Sequence, residues 1–319
     1  MRLAIMLEGQ EGLSYDTILA VAKRTEAAGL YGLFRSDHYS SVAGRESLES
    51  TDAWATLAGL ARETERIQLG PLVSPVTFRP PAVVAKMAAT VGEMAGPAAD
   101  GSARVTLGMG TGWLEVEHRR HGFPFEDLDT RFRRLEEHLQ IITSLWDPWA
   151  QPFDFDGEFA TLRDARFLPV PSPRIPVTIG GSGMRRTPSL VARYADELNG
   201  VFLTPERCAE QRVALRQACE LVGRDPDSAG YTLMTGAVVG ATDADFRARV
   251  RTLQQLTGDG SSLDEFVARR RGTWILGTVD QAREHLGALA AAGVEGVMLQ
   301  HLNPGDLEMI DVVAEELAA

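Results

Sequence analysis

The chain is poor in cysteine: Cys208 and Cys219 are the only two in 319 residues. The pattern between them is helical, and eleven residues at ~1.5 Å each hold them roughly 16 Å apart, beyond disulfide reach. A disulfide framework is therefore excluded, and a reduced, cytoplasmic compartment is expected. Long apolar runs are also missing. The N-terminal run Leu3 to Leu7 stops at Glu8, too short for a signal-peptide core or a membrane span. Positive charge is in deficit, with 32 Lys and Arg against 44 Asp and Glu for a formal net charge of −12. Such a balance repels a polyanionic backbone and speaks against a nucleic-acid partner. No G-x-G-x-x-G follows the first apolar run, so an open dinucleotide-binding sheet is disfavoured.

What is present is an alternation of short β-rich runs with helical patterns. Leu3–Leu7, Gly32–Arg35, Ile67–Val73, Ala103–Met109, Val177–Ile179, Leu198–Phe202, Thr232–Val239 and Gly296–Gln300 read as strands. Helices are expected at 14–28, 52–65, 80–95, 128–146, 205–222, 243–257, 279–292 and 306–318. In the first, Ile18, Val21, Ala22 and Thr25 share one face. Thr204-Pro205 reads as an N-cap followed by proline at the first helical position, and Thr278 with Gln281 as a capping box. Near-continuous apolar strands alternating with helices imply a parallel sheet. Eight such units in ~300 residues predict one (β/α)₈ TIM barrel with insertion segments, a single domain over residues 1–319. Residues 148–176, rich in proline around DFDGEFATL, read as an irregular excursion with a small hairpin. Residues 95–103 and 258–262 read as loops.

In such a barrel the chemistry gathers where strands end, so the polar residues after the strands are the candidates. Ser36-Asp37-His38-Tyr39 places a carboxylate beside an imidazole that titrates in a useful range; the bland alternative is a cap and a surface histidine. Pro71 and Pro75 in Gly70 to Arg79 predict a bulge around Leu72, Val73 and Ser74. Gly108-Met109-Gly110-Thr111-Gly112-Trp113 would let backbone approach a ligand, with Trp113 as an aromatic wall and Glu117 and His118 as polar groups. His118 and His121 lie three apart, but no zinc-type motif surrounds them and no metal is expected. Gly180-Gly181-Ser182-Gly183 ahead of a helix reads as an anion site, with Arg185 and Arg186 alongside, or else as a glycine-rich surface turn. Trp54, Leu57, Leu60 and Ala61 at helical spacing read as core.

Taken together in order, RLAIML, AAGLYGLFRSDHY, RIQLGPLVSPVTFRPPAVVAKMAAT, LGMGTGWLEVEHRRHGFPF with RFRRLEEHLQII, and IPVTIGGSGMRRT with RYADELNG resemble the luciferase-like monooxygenase superfamily. Within it, the Asp37-His38 pair resembles the branch of oxidoreductases that depend on the deazaflavin coenzyme F420. The resemblance covers nearly the whole of the first 200 residues. It implies a barrel, often homodimeric, that binds a flavin or deazaflavin at the strand C-terminal rim. His38 would lie beside the reactive ring carbon, and Asp37 would bond the ring. Leu72-Val73 would back it, frequently through a non-proline cis peptide, and Gly180 to Gly183 would receive the phosphate. Ser74, Gly110, Thr111, Gly112, His118, Ser182 and Arg185 complete the expected cofactor set. The catalytic set is His38, Asp37 and Trp113. Trp113 stands where some deazaflavin sugar-phosphate dehydrogenases carry a glutamate acid, which argues against their substrate. The expected activity is hydride transfer between deazaflavin C5 and a small organic substrate. The alternatives are an FMN-dependent monooxygenase using O2 and a reductase, and a non-catalytic flavin-binding barrel.

Overall fold

The structure, a computed structural model, describes residues 1–43, 45 and 47–318. Its elements alternate from the start: β1 (Arg2–Leu7), α1 (Tyr15–Ala27), β2 (Gly32–Arg35), α2 (Ala53–Glu63), β3 (Gln68–Pro71), β4 (Ser74–Pro75) and α3 (Pro81–Ala95). Next come β5 (Leu107–Gly110), α4 (Glu115–His121), α5 (Leu128–Trp146), the pair β6 (Phe153–Asp156) and β7 (Thr161–Ala165), then β8 (Val177–Gly180), α6 (Arg186–Tyr194) and β9 (Glu197–Val201). The chain finishes with α7 (Pro205–Leu221), β10 (Gly230–Gly240), α8 (Asp243–Thr257), α9 (Leu263–Arg270), β11 (Ile275–Thr278), α10 (Val279–Ala291), β12 (Gly296–Gln300) and α11 (Leu307–Leu317). Side-chain caps fix several helix starts: Ser14, Asp52, Asp127 and Thr204 each accept a backbone N–H of the first turn, a contact that contributes about 1 kcal/mol.

The strands pair in parallel in the order β3-β2-β1-β12-β10-β9-β8-β5-β4. The ring is completed where the Leu69 N–H donates to Arg104 O (2.8 Å) and the Thr106 N–H to Leu69 O (2.9 Å). Counting β3 and β4 as one interrupted stave gives the eight-stave barrel expected from the sequence. Alternation sets the two sides of each stave. Leu3, Ile5 and Leu7 of β1 face the helices in the main core, with Trp54, Leu57, Leu60 and Ala61 of α2 as anticipated. Ala4 and Met6 point inward and meet Phe34, Leu72, Met234 and Met298 in the barrel interior.

The third stave breaks at Leu72-Val73, a cis peptide bond, where the sequence predicted a bulge at the strand end. Elsewhere the structure differs from the sequence reading. The barrel strand expected from Ala103 is regular only from Leu107. Residues 97–103 turn tightly back, with Ala98 N–H donating to Ser102 O (2.8 Å). Most consequential is β10, which runs for 11 residues. Its first part pairs with β9 and β12, and Ala237 to Gly240 pairs instead with β11. Around that outer part, Val238, Phe246, Val250, Leu253, Phe266 and Val267 form a separate small core. The proline-rich excursion does hold the antiparallel hairpin β6–β7. Cys208 and Cys219 are buried and unbonded on α7. No helix among the described residues is long and apolar enough to cross a membrane.

Candidate functional site

The staves deliver their last residues to one mouth. At the end of β2, His38 donates through Nδ1 to Glu117 Oε1 at 2.8 Å, and the Tyr39 N–H donates to Glu117 Oε2 at 2.9 Å. Glu117 is on α4 and fully buried, so its carboxylate is committed to this one loop. The His38 side chain is 11% exposed, and among the described residues Nε2 has no partner. Trp113 stands edge-on to the imidazole with centroids 5.7 Å apart and is 62% exposed. Burial alone would lower the His38 pKa; the hydrogen bond and charge of Glu117, with the charges of Glu8 and Asp37, outweigh it and hold the imidazole above its ordinary value. The result is a histidine with one nitrogen fixed by a carboxylate and the other open.

Asp37 has a different setting. It is buried, with Oδ2 accepting from Ser74 Oγ (2.6 Å) and Arg79 Nη1 (2.5 Å) and Oδ1 from Arg79 Nη2 (3.1 Å). Arg79 also pairs with Asp52 at 2.8 Å. Burial opposes the Arg79 charge, but Asp37 overcomes that and raises its pKa further. Ser74 in turn accepts from Trp54 Nε1 (3.0 Å). Asp37 thus ties the end of β2 to β4 and the start of α3, a role the sequence reading did not foresee because Arg79 lies 42 residues away.

The glycines of β5 and the last residue of β8 make room for Val73. A Cβ on Gly108, Gly110 or Gly180 would lie 3.0, 2.6 or 3.0 Å from a Val73 methyl, so these residues leave the room that Val73 fills beside the interrupted stave. Gly112 takes a left-handed φ of 76° and its carbonyl accepts from Arg131; Thr111 is half-buried beside it. His118 is fully buried. Its Nδ1 donates to Leu114 O (2.8 Å) and Nε2 is hydrogen-bonded to Thr77 Oγ1 (2.6 Å), so the ring links α4 to the segment after β4. His121 turns elsewhere, toward Ser40.

Across the mouth, β8 ends in Gly180 and the loop Gly181, Ser182 and Gly183, followed by α6. Ser182, Gly183 and Arg185 are exposed. Among the described residues the N–H groups of 182 to 185 find no acceptor in the protein. Arg186 starts α6, but its guanidinium pairs with Asp129 (2.5 Å) and lies over Phe132, both on or beside α5. The loop therefore offers backbone donors and Arg185, with Arg186 directed to a neighbouring helix. One further mouth residue escaped the sequence reading. Glu8, directly after β1, accepts from Gln10 Nε2 (2.6 Å) and from Gln300.

Known proteins share this fold. The pattern of the luciferase-like monooxygenase family matches residues 1–296. Among curated proteins, the pyrimidine monooxygenase RutA of Escherichia coli (strain K12) is 34% identical over 209 residues, 63% of this chain and 50% of that protein. The chain spans about half the length of the curated relatives it matches. Among solved structures, an F420-dependent secondary alcohol dehydrogenase in complex with an F420-acetone adduct superposes with a TM-score of 0.84 at 19% identity, covering 99% of this chain and 98% of that one. The monooxygenase RslO1 from Streptomyces bottropensis gives 0.82 at 17% identity, covering 100% and 99%. At these identities the structures speak for the fold, and the family pattern speaks for descent: this chain belongs to the luciferase-like monooxygenases.

Proposed function

We propose that the chain is an oxidoreductase that exchanges a hydride between C5 of the deazaflavin coenzyme F420 and a small organic substrate. The observation that carries this reading is His38, with Nδ1 held by Glu117 at 2.8 Å and Nε2 open at the mouth. Hydride exchange at an alcohol or carbonyl carbon leaves a proton to be moved at oxygen, and such a histidine is built to give or take it. The residues fit a phosphate-bearing ring cofactor. Backbone N–H groups of Ser182 to Arg185 lack protein acceptors, and would hold its phosphate together with Gly181, Gly183 and the Arg185 side chain. Leu72, Val73 and Ser74 at the stave break would back the ring, with Gly110, Thr111 and Gly112 at its edge. When bound, the ring supplies the redox chemistry; the protein contributes orientation and electrostatics. Trp113 would bound the substrate beside His38. Asp37, engaged with Arg79 and Ser74, would act by holding this rim in place. A homodimer belongs to the same proposal.

The test is direct binding. Fluorescence titration of the purified protein with F420 and with FMN is expected to favour F420, and reduction of bound F420 by a candidate alcohol is expected without oxygen uptake. A second reading, an FMN-dependent monooxygenase using O2 and a reductase, draws on the 34% identity to a pyrimidine monooxygenase. Preferential FMN binding with oxygen consumption would replace the first reading with the second.

A further inference from the structure

Beneath the glycine loop lies a side chain that the functional reading does not use. Gln211, on α7, is fully buried and donates from Nε2 to two loop carbonyls, Gly181 O and Gly183 O, both at 3.0 Å. The Tyr231 hydroxyl, from β10, donates to Gln211 Oε1 at 3.0 Å. Burial pushes the Tyr231 phenol well above its ordinary pKa, so it remains a donor. That fixes Oε1 as the acceptor and leaves the NH₂ end facing the loop. The backbone makes room for the amide: a Cβ at position 200 would come within 2.9 Å of Gln211 Oε1, and the residue there is glycine.

The geometry has a direct consequence for the loop. In a trans peptide the C=O and the following N–H point in opposite directions. Drawing the carbonyls of 181 and 183 inward onto one amide turns the N–H groups of Ser182 and Met184 outward, away from α7. Those are two of the N–H groups without acceptors in the protein. A glycine-rich loop otherwise samples many orientations, and each peptide that must turn on binding weakens the grip.

We infer that Gln211 is a positioning residue that presets the loop for an anionic group, setting the phosphate-dependent share of cofactor affinity without touching the cofactor. This rests on the phosphate placement proposed above. The experiment measures two affinity ratios by fluorescence: riboflavin against FMN, and the phosphate-free deazaflavin against F420. The wild type is expected to prefer the phosphorylated form of the ring it binds. Gln211→Met, close in volume, is expected to cut that preference about tenfold, with the phosphate-free ring binding as before. Tyr231→Phe, which keeps the amide but frees its rotation, is expected to lose part of the same preference. Equal wild-type affinity for phosphorylated and unphosphorylated rings would overturn the phosphate placement itself. A preserved preference in both folded variants, or an equal loss for both members of a pair, would overturn the role of Gln211 alone.

Discussion

Replacing Glu117 by Gln tests the electrostatic argument at its centre. The Nδ1–Oε1 contact is 2.8 Å, the carboxylate is fully buried and the His38 side chain is 11% exposed, so solvent screens the pair weakly. A hydrogen bond to a charged group contributes about 1.5 to 3 kcal/mol. With the negative charge gone, burial becomes the dominant influence on His38 and carries its pKa below the ordinary value of 6.5. The stability consequence has a definite sign. Because the folded imidazole is held above its unfolded value, His38 supports the fold fully at pH below that unfolded value. This support fades as pH rises through the folded value. Glu117→Gln should abolish the fade. Titrating the imidazole by NMR in both proteins, with urea melts across the same pH range, checks this. An unchanged or raised His38 pKa in the variant would refute the assignment of Glu117 as the group that holds the charge.

Other outcomes follow from neighbouring contacts. Asp37→Asn leaves a buried Arg79 with only Asp52 opposite and should cost about 3 kcal/mol in denaturant melts. Gly108→Ala puts a Cβ 2.1 Å from Pro71 O, a backbone atom that cannot swing aside, and should cost about 3 kcal/mol or leave little folded protein to purify. Trp113→Ala removes a side chain that is 62% exposed, so melting should shift by less than about 0.5 kcal/mol while turnover falls. His138 and His301 are buried with pKa values of about 4. The unfolded chain therefore takes up two more protons than the fold between about pH 6.5 and 4. Stability should drop in that window by about 3 kcal/mol per histidine, and His138→Gln should flatten the slope by about half.

The sequence made the barrel legible because each stave carries its own apolar run and each helix its own stripe and cap. Segments that rely on neighbours were not legible. α4 and α9 span seven and eight residues, too few turns for a periodic signal, and β11 is four residues with Gly277 inside it, visible only once the outer part of β10 is there to pair with. The candidate site divides in the same way. His38, Trp113 and the Gly180 to Gly183 loop could be read from their places after strands. Glu117 stood out only as a polar group near Trp113, and its pairing with His38, 79 residues away, is a product of closure. Arg79 and Gln211 gave no local signal, since each acts on a partner brought close by the fold.

The two halves of β10 answer to different surroundings. The inner half is locked between two staves, while Ala237 to Gly240 pairs with β11: Val238 packs with α8 and α9 in the small core, and Ala237, Val239 and Ile275 stay in the main one. That arrangement lets α8 and α9 be repacked against one face of a strand whose other face is held by the barrel. Trp274, which lies against Gly236 where the two halves meet, is the seam along which such remodelling would reach the rim.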